Sequence, residues 1–459
     1  MVRGPEMVRG MTPVRPWPTT FARDQDGIVS LGGIPVTELA TTFGTPLYIY
    51  DQETLATTAS RFTAALAATY PRGRAVYAAK AFSSTAIIRL LRDLGLGLDV
   101  SSGGELFAGL RAGMPPGRIT FHGNAKTAAE LGEALDAGIG LLVVDNLPEL
   151  EMLVRLTAGR GVAQRILLRL NPGIDVHTHE KIKTGVLRSK FGLPIETGDA
   201  ARAVEVAVRA PGVTLAGYHA HLGSQLFDMA ALQAGVEALV AFAAGMRDRH
   251  ALDRPLDVLS PGGGFGIPYL ATDPDLDVEG WVGAIAAAVR SACARHAIAL
   301  PELVIEPGRA IAGPAGVALY RVGPTKVIPG VARYVAVDGG MADNIRPTLY
   351  GARYEVTVAN RLAGGPDVEQ TVVGKFCEAG DILVERAMVP AIETGDLLAF
   401  AAAGAYSLAM ASNYNLATRP AVVLVGDGRA RLIRRRETYD DMVRLDIDEG
   451  GTSDGPVMS

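Results

Sequence analysis

The stretch "RAVYAAKAF", Arg74 to Phe82, is apolar except at Arg74 and Lys80. An amine closing a strand-like apolar run either snorkels to water on its long stem or is held where its charge is costly. "SPGGGFG", Ser260 to Gly266, sets three glycines in a row. Without Cβ atoms their amides can close around an anion, usually phosphate; a flexible turn is the alternative. "IEPGRAI" carries Glu306 and, three residues on, Arg309. A buried carboxylate there needs a cation or a proton donor, supplied by the arginine itself or by a ligand. An amine, an anion cradle and a buried acid together meet the needs of pyridoxal 5'-phosphate. The amine bonds the cofactor, the glycines hold its phosphate and the glutamate keeps the pyridine nitrogen protonated. The ring can then take up the electrons released when a bond at an amino acid's Cα breaks. Snorkelling accounts for Lys80 and for none of the other residues.

Histidines offer a rival chemistry. His219 and His221 in "GYHAHLGS" are two apart, on one face of a strand, and His177 and His179 in "DVHTHEK" repeat the spacing. Paired histidines bind metals, so a barrel metallohydrolase is a second reading. No carboxylate stands in a ligand motif around either pair, and that reading leaves Lys80 and the glycines without a task. The plainer expectation is no metal, one functional histidine and one satisfied core histidine. In "GKFCEAGD", Cys377 and Glu378 sit in a loop-like string. The thiol is there either a proton donor or, like many lone cysteines, a small hydrophobe.

Elements that could position these residues follow from the pattern of the chain. "DQETLATTASRFTAALAATY" puts Leu55, Ala59, Phe62 and Leu66 on one helical face behind Asp51 as N-cap. Eight apolar runs then alternate with helix-like segments: "RAVYAA", "GLGLDV", "RITFH", "LLVVD", "RILLRL", "TLAGYHAH", "PLDVLS" and "ELVIE". The alternation fits a closed parallel (β/α)8 TIM-type barrel or an open doubly wound sheet. The run ends favour the barrel, because Lys80, Asp99, His122, Asp145, Arg169, His221 and Glu306 would converge on one mouth. After residue 314 strand-like runs such as "VALYRVGPTKVI" and "AVVLVG" indicate a mostly β C-terminal domain, to which "TPLYIYD" adds a strand. The expected organisation is an unstructured extension over 1–26, a segment 27–50 joining the β domain, a cofactor-binding barrel over 51–313, the β domain over 314–446 and an unstructured tail over 447–459.

Bulk properties exclude other classes. The chain has 459 residues, 48% apolar and 20% charged, with a formal net charge of −5, so it offers no basic footprint for nucleic acid. Two cysteines, Cys293 and Cys377, argue against a disulfide framework and suit a reducing cytoplasm. No run of eighteen apolar residues suggests a membrane span, and the N-terminus, with Met1, Met7 and Met11 as possible starts, lacks the apolar core of a secretory signal.

Taken in order, "YAAKAF", "LDVSSGGEL", "FHGNAK", "RLNPGIDVHTHEKIKTG", "SKFG", "YHAHLGSQ", "PGGGFGIPY", "EPGRAI", "VDGGMADNIRPTLYGA", "CEAGD" and "GAYSLAMASNYN" resemble the diaminopimelate decarboxylases, fold-type III pyridoxal-phosphate enzymes with an alanine racemase-like barrel. The likeness runs from about residue 27 to 446 and implies a homodimer whose subunits share their active sites. It implies that Lys80 bonds the cofactor and that His221 stacks on its ring, with Asp99 in support. Ser224, Gly263 and Gly264 would hold the phosphate. Glu306 would face the pyridine nitrogen, and Pro307 and Gly308 of the same string would bind the cofactor. Arg309 would meet phosphate or substrate, and Tyr406 both. Arg346 and Tyr350 of "RPTLY" would bind the carboxylate at the non-reacting end. Cys377 would be the general acid and Glu378 would read the distal amine, both from the partner subunit. The implied reaction is decarboxylation of meso-2,6-diaminopimelate to L-lysine, the last step of lysine biosynthesis.

Arg346 separates substrates on physical grounds. A second, buried carboxylate must be paired, whereas an ornithine-type substrate has none. Two alternatives keep the fold: a decarboxylase of another carboxylated amino acid, and a non-catalytic regulatory homologue. Retention of Lys80, Glu306 and Cys377 weighs against the second.

Overall fold

The computed structural model describes residues 15–161, 163–174, 189–227 and 229–447. His177 and His179 lie outside them, as do residues 1–14 and 448–459. Each of the eight apolar runs is a strand: Gly73–Ala78, Gly97–Val100, Ile119–Phe121, Leu141–Val144, Gln164–Asn171, Val213–His219, Val258–Gly262 and Glu302–Ile305. Each pairs in parallel with the next, and Leu303–Ile305 pairs with Gly73–Ala75, so the sheet closes on itself. Closure decides for the barrel over the open sheet.

The helix Gln52–Thr69 leads into the first strand. Asp51 caps it by accepting from the Thr54 amide, and Leu55, Ala59, Phe62 and Leu66 are buried as their spacing predicts. Met229–His250 is a helix of membrane-spanning length and hydropathy. It packs against the sixth and seventh barrel strands and the helix Val278–Arg295, burying Val236, Leu239, Val240 and Ala243. Its apolar character serves the barrel.

Strand alternation divides the barrel wall into two faces. Val76, Leu141, Val143, Leu167, Ala216, Val258 and Val304 form a separate buried cluster plugging the interior. Tyr77, Leu98, Ile119 and Phe121 belong instead to the large core shared with the helices.

The β domain is a sheet in which Leu47–Asp51 lies between Gly316–Ile328, antiparallel to it, and Ala421–Gly426, parallel to it. Residues 15–26, expected to be unstructured, are ordered. Trp17 is 8% exposed in a second apolar core with Leu31, Ile49 and Val423, and its ring stacks on Phe21 at 4.6 Å. Thr19 donates its amide to Thr54 Oγ1 at 2.8 Å, and Thr20 its hydroxyl to Asp51 Oδ1 at 2.9 Å. Prolines and charges around this segment masked a single large aromatic with a pocket to fill.

Candidate active site

Continuing each inward face by two residues reaches the barrel mouth. Val76 leads to Ala78 and Lys80, Val143 to Asp145, Leu167 to Arg169, Val258 to Ser260 and Val304 to Glu306. An apolar plug thus sits beneath a layer of polar side chains. Above that layer opens a cavity of about 700 Å³ at the C-terminal strand ends, where barrels place their chemistry.

Lys80 follows the first strand in the single turn Ala79–Ala81. The turn is fastened by the Tyr406 amide donating to the Ala81 carbonyl at 3.0 Å and the Ala78 amide to that of Pro307 at 3.3 Å. Lys80 lines the cavity, exposed to its interior rather than to the outer surface. Enclosure by protein works against its ammonium form, but Asp99, Tyr406 and Glu306 outweigh that and raise its pKa.

Glu306 is buried among donors. Ser260 donates its hydroxyl to Oε1 at 2.6 Å, and His219 Nε2 lies 3.2 Å from Oε2. His122 Nε2 stands 3.6 Å from Glu306 and 3.5 Å from Asp99, its ring edge-on to His219 at 4.9 Å. Burial would raise the Glu306 pKa, yet these neighbours, His219 first, hold it well below the carboxylate range. Burial drives His122 well down, so its ring is neutral and the charge on Glu306 rests chiefly on His219 and Ser260. His122, His219 and Glu306 could together face a metal, their ligand atoms lying within 4.8 Å of one another. Both Glu306 oxygens are already engaged, however, and the sequence pair divides: His219 supports Glu306 while His221 turns to the glycines. Gly263 donates its amide to His221 Nδ1 at 3.3 Å. Burial, first, then Lys80 and Arg169 push His221 well down, so its Nδ1 can accept.

Close approach forces the glycine run. A Cβ on Gly263 would fall 2.2 Å from the Glu306 carbonyl oxygen, and one on Gly264 (φ +89°) 2.3 Å from that of Gly223. Beside them Arg309 donates to Ser224 Oγ at 2.9 Å and to the Tyr269 hydroxyl, while its guanidinium carbon lies 4.7 Å from the Tyr406 ring centroid. Among the described residues its buried Nε has no hydrogen-bond partner. An unused N–H on a buried cation, next to glycines bared of Cβ atoms, fits an anionic group of the ligand.

Arg346 enters the cavity from the β domain, in the short helix Arg346–Tyr350. It is 6% exposed, donates to the Tyr354 hydroxyl at 2.6 Å and lies 4.5 Å from the Tyr269 ring centroid. Despite burial its pKa is raised, by Tyr269 and Tyr354. Among the described residues no carboxylate pairs with it, so a buried cation faces the same cavity as Lys80 without a counter-ion. Tyr350 lines the cavity too, whereas Cys377 is exposed and neither it nor Glu378 lines it.

Residues 55–313 match the family described as pyridoxal-dependent decarboxylase, pyridoxal binding domain. The diaminopimelate decarboxylase of Bacillus subtilis is 44% identical over 93% of this chain and 97% of its own length. That of Mycobacterium tuberculosis is 41% identical over 94% and 97%. The chain belongs to the diaminopimelate decarboxylase family. A crystal structure of diaminopimelate decarboxylase from M. jannaschii with L-lysine superposes with a TM-score of 0.86 at 32% identity, covering 94% of this chain and 98% of that one. The Helicobacter pylori enzyme with L-lysine gives 0.82 at 31%, covering 89% and 98%.

The family's cofactor is pyridoxal phosphate, and the residues present fit it: one lysine at the cavity floor, a carboxylate held ionised, and a glycine cradle beside an unpaired arginine N–H. Gly263→Ala should therefore weaken cofactor affinity by roughly 10- to 100-fold, the usual result of forcing a methyl into packed backbone. Titration of the cofactor-free protein followed by visible absorbance checks this.

Of the sequence candidates, Lys80, His221, Ser224, Gly264, Glu306, Gly308, Arg309, Arg346, Tyr350 and Tyr406 line this one diaminopimelate decarboxylase cavity. Asp99, Gly263 and Pro307 stand directly behind it, through the His122, His221 and Ala78 contacts. His122, Ser260, Arg169 and Tyr269 are among the contributors with no assigned role. Ser260 was legible, being two residues beyond an inward valine. Arg169, stacked 4.5 Å from the Phe191 ring centroid, was legible only as a strand end. Tyr269 closes the string "PGGGFGIPY", but nothing in the string gives it a role, since it lies on a loop and matters through what folds against it.

Proposed function

We infer that this chain removes the carboxylate from the D-configured centre of meso-2,6-diaminopimelate and releases L-lysine and carbon dioxide. The observation that carries this is Arg346, a buried guanidinium with no counter-ion among the described residues, in the cavity that holds Lys80. A substrate that keeps a carboxylate after losing one supplies that counter-ion.

Lys80 would hold the cofactor through its side-chain amine. Glu306 holds a proton at the ring nitrogen, supported by Ser260 and His219. Bound there, the cofactor supplies the electron sink that takes the pair left when the Cα–carboxylate bond breaks. Gly263, Gly264, Ser224 and Arg309 would hold its phosphate, with Asp99, Pro307 and Gly308 shaping the wall and His221 facing the ring side of the pocket. Arg346 and Tyr350 bind the retained carboxylate, and Tyr406 reaches both ligands. A second copy of the chain would supply Cys377, whose thiol can donate a proton to Cα, and Glu378, which would meet the distal ammonium. In support, both residues stand outside their own cavity. The working form is thus a homodimer, placed in a reducing cytoplasm where both thiols stay free.

Purified protein supplied with pyridoxal phosphate and meso-diaminopimelate should yield equimolar L-lysine and carbon dioxide, unaffected by chelators. Bound cofactor with no turnover of free diaminopimelate would overturn the substrate assignment.

A further inference from the structure

Two segments that supply substrate-side groups meet on one buried carboxylate. Asp381, 3% exposed, accepts from the Met341 amide at Oδ1 (2.6 Å) and from the Phe376 amide at Oδ2 (2.9 Å). The first amide belongs to the loop running into Arg346, the second immediately precedes Cys377 and Glu378. Both approaches need glycine: a Cβ on Gly340 would lie 2.5 Å from the Asp381 carboxylate, and one on Gly374 2.1 Å from it. Further ties run in parallel. Lys375 donates its amide to the Gly339 carbonyl at 3.0 Å, Thr348 its hydroxyl to that of Gly380 at 2.8 Å, and Gly374 its amide to that of Asp381 at 2.9 Å. The helix Arg346–Tyr350 has only five residues, too few to be stable by itself, so its position is set by these attachments.

We propose that Asp381 is a positioning residue that fixes the Arg346–Tyr350 segment and the Cys377–Glu378 segment as one block. The first segment faces this chain's cavity and the second is exposed outside it. The block therefore ties the carboxylate pocket of one site to the proton donor of the other. This rests on the reading that two copies share their sites.

Asp381→Asn tests it, because the amide keeps an acceptor oxygen at only one of the two positions and turns its NH2 donors toward the other backbone N–H. Hybrid dimers of differently tagged chains separate the two halves of the block. Lys80→Ala paired with Cys377→Ala is the control, restoring one complete site that neither parent has. Paired with Lys80→Ala, the Asp381→Asn chain supplies the only working lysine together with its own Arg346, and KM for diaminopimelate should rise by roughly 10- to 100-fold. Paired with Cys377→Ala, it supplies only the acid, and kcat should fall by a similar factor. Cofactor affinity by visible absorbance should stay unchanged in both, which general loosening of the fold would not allow.

Either hybrid running at the control's rate overturns the proposal while leaving the shared site intact. A control without activity overturns the shared site and the coupling together. Should Asp381→Asn fail to fold, Thr348→Val removes the neighbouring tie and should move the same two constants by about 3-fold. No movement in either constant overturns the proposal.

Discussion

Lys80→Ala is expected to lower kcat for diaminopimelate by at least about 10,000-fold, since it removes the nucleophile on which cofactor chemistry depends. Lys80 is the only lysine lining the cavity among the described residues. The other buried lysine nearby, Lys126, is committed elsewhere: its Nζ lies 2.8 Å from Glu149 and donates to the Gly123 and Val143 carbonyls. Among the described residues no substitute amine stands ready. Borohydride treatment of the native holoenzyme followed by peptide mapping should place the cofactor on the peptide containing Lys80. A label on another lysine, or substantial turnover by the alanine variant, would end this account.

Arg346→Ala carries the second largest expected effect. The guanidinium is buried and bonded to Tyr354, so the pocket is shaped around a cation before substrate arrives. Removing one partner of a buried ion pair costs about 3–5 kcal/mol, which corresponds to roughly a 1000-fold loss in kcat/KM for diaminopimelate. Arg346→Lys keeps the charge but not the planar fork and should fall between the variant and the native protein. Turnover of an analogue whose distal carboxylate is absent should change little on Arg346→Ala. An equal fall for both substrates would mean that the arginine maintains the fold rather than reading the carboxylate.

The barrel was legible because its determinants are local. Apolar runs of strand length, separated by helix-like segments, specify strands. Alternation then fixes which residues share the inner face, which is why the sequence alone gathers Lys80, Arg169 and Glu306 at one end of the barrel. The cap at Asp51 and the buried face of its helix were equally local. Trp17 was not, because its burial depends on a cavity built from Leu31, Ile49 and Val423, distant in sequence. Tyr269 was hidden for the same reason.

By itself the sequence determined the chemistry: an amine at a strand end, glycines where an anion approaches, an ionisable acid and an arginine suited to a second carboxylate. Those follow from residue type and short-range periodicity, which a linear string preserves. Only the tertiary structure decided that the sheet closes, that His219 serves Glu306 while His221 meets Gly263, and that Asp381 fastens two loops. All of these pairings but Phe376–Asp381 join residues dozens of positions apart through hydrogen bonds a few ångströms long, and the tertiary fold sets those distances.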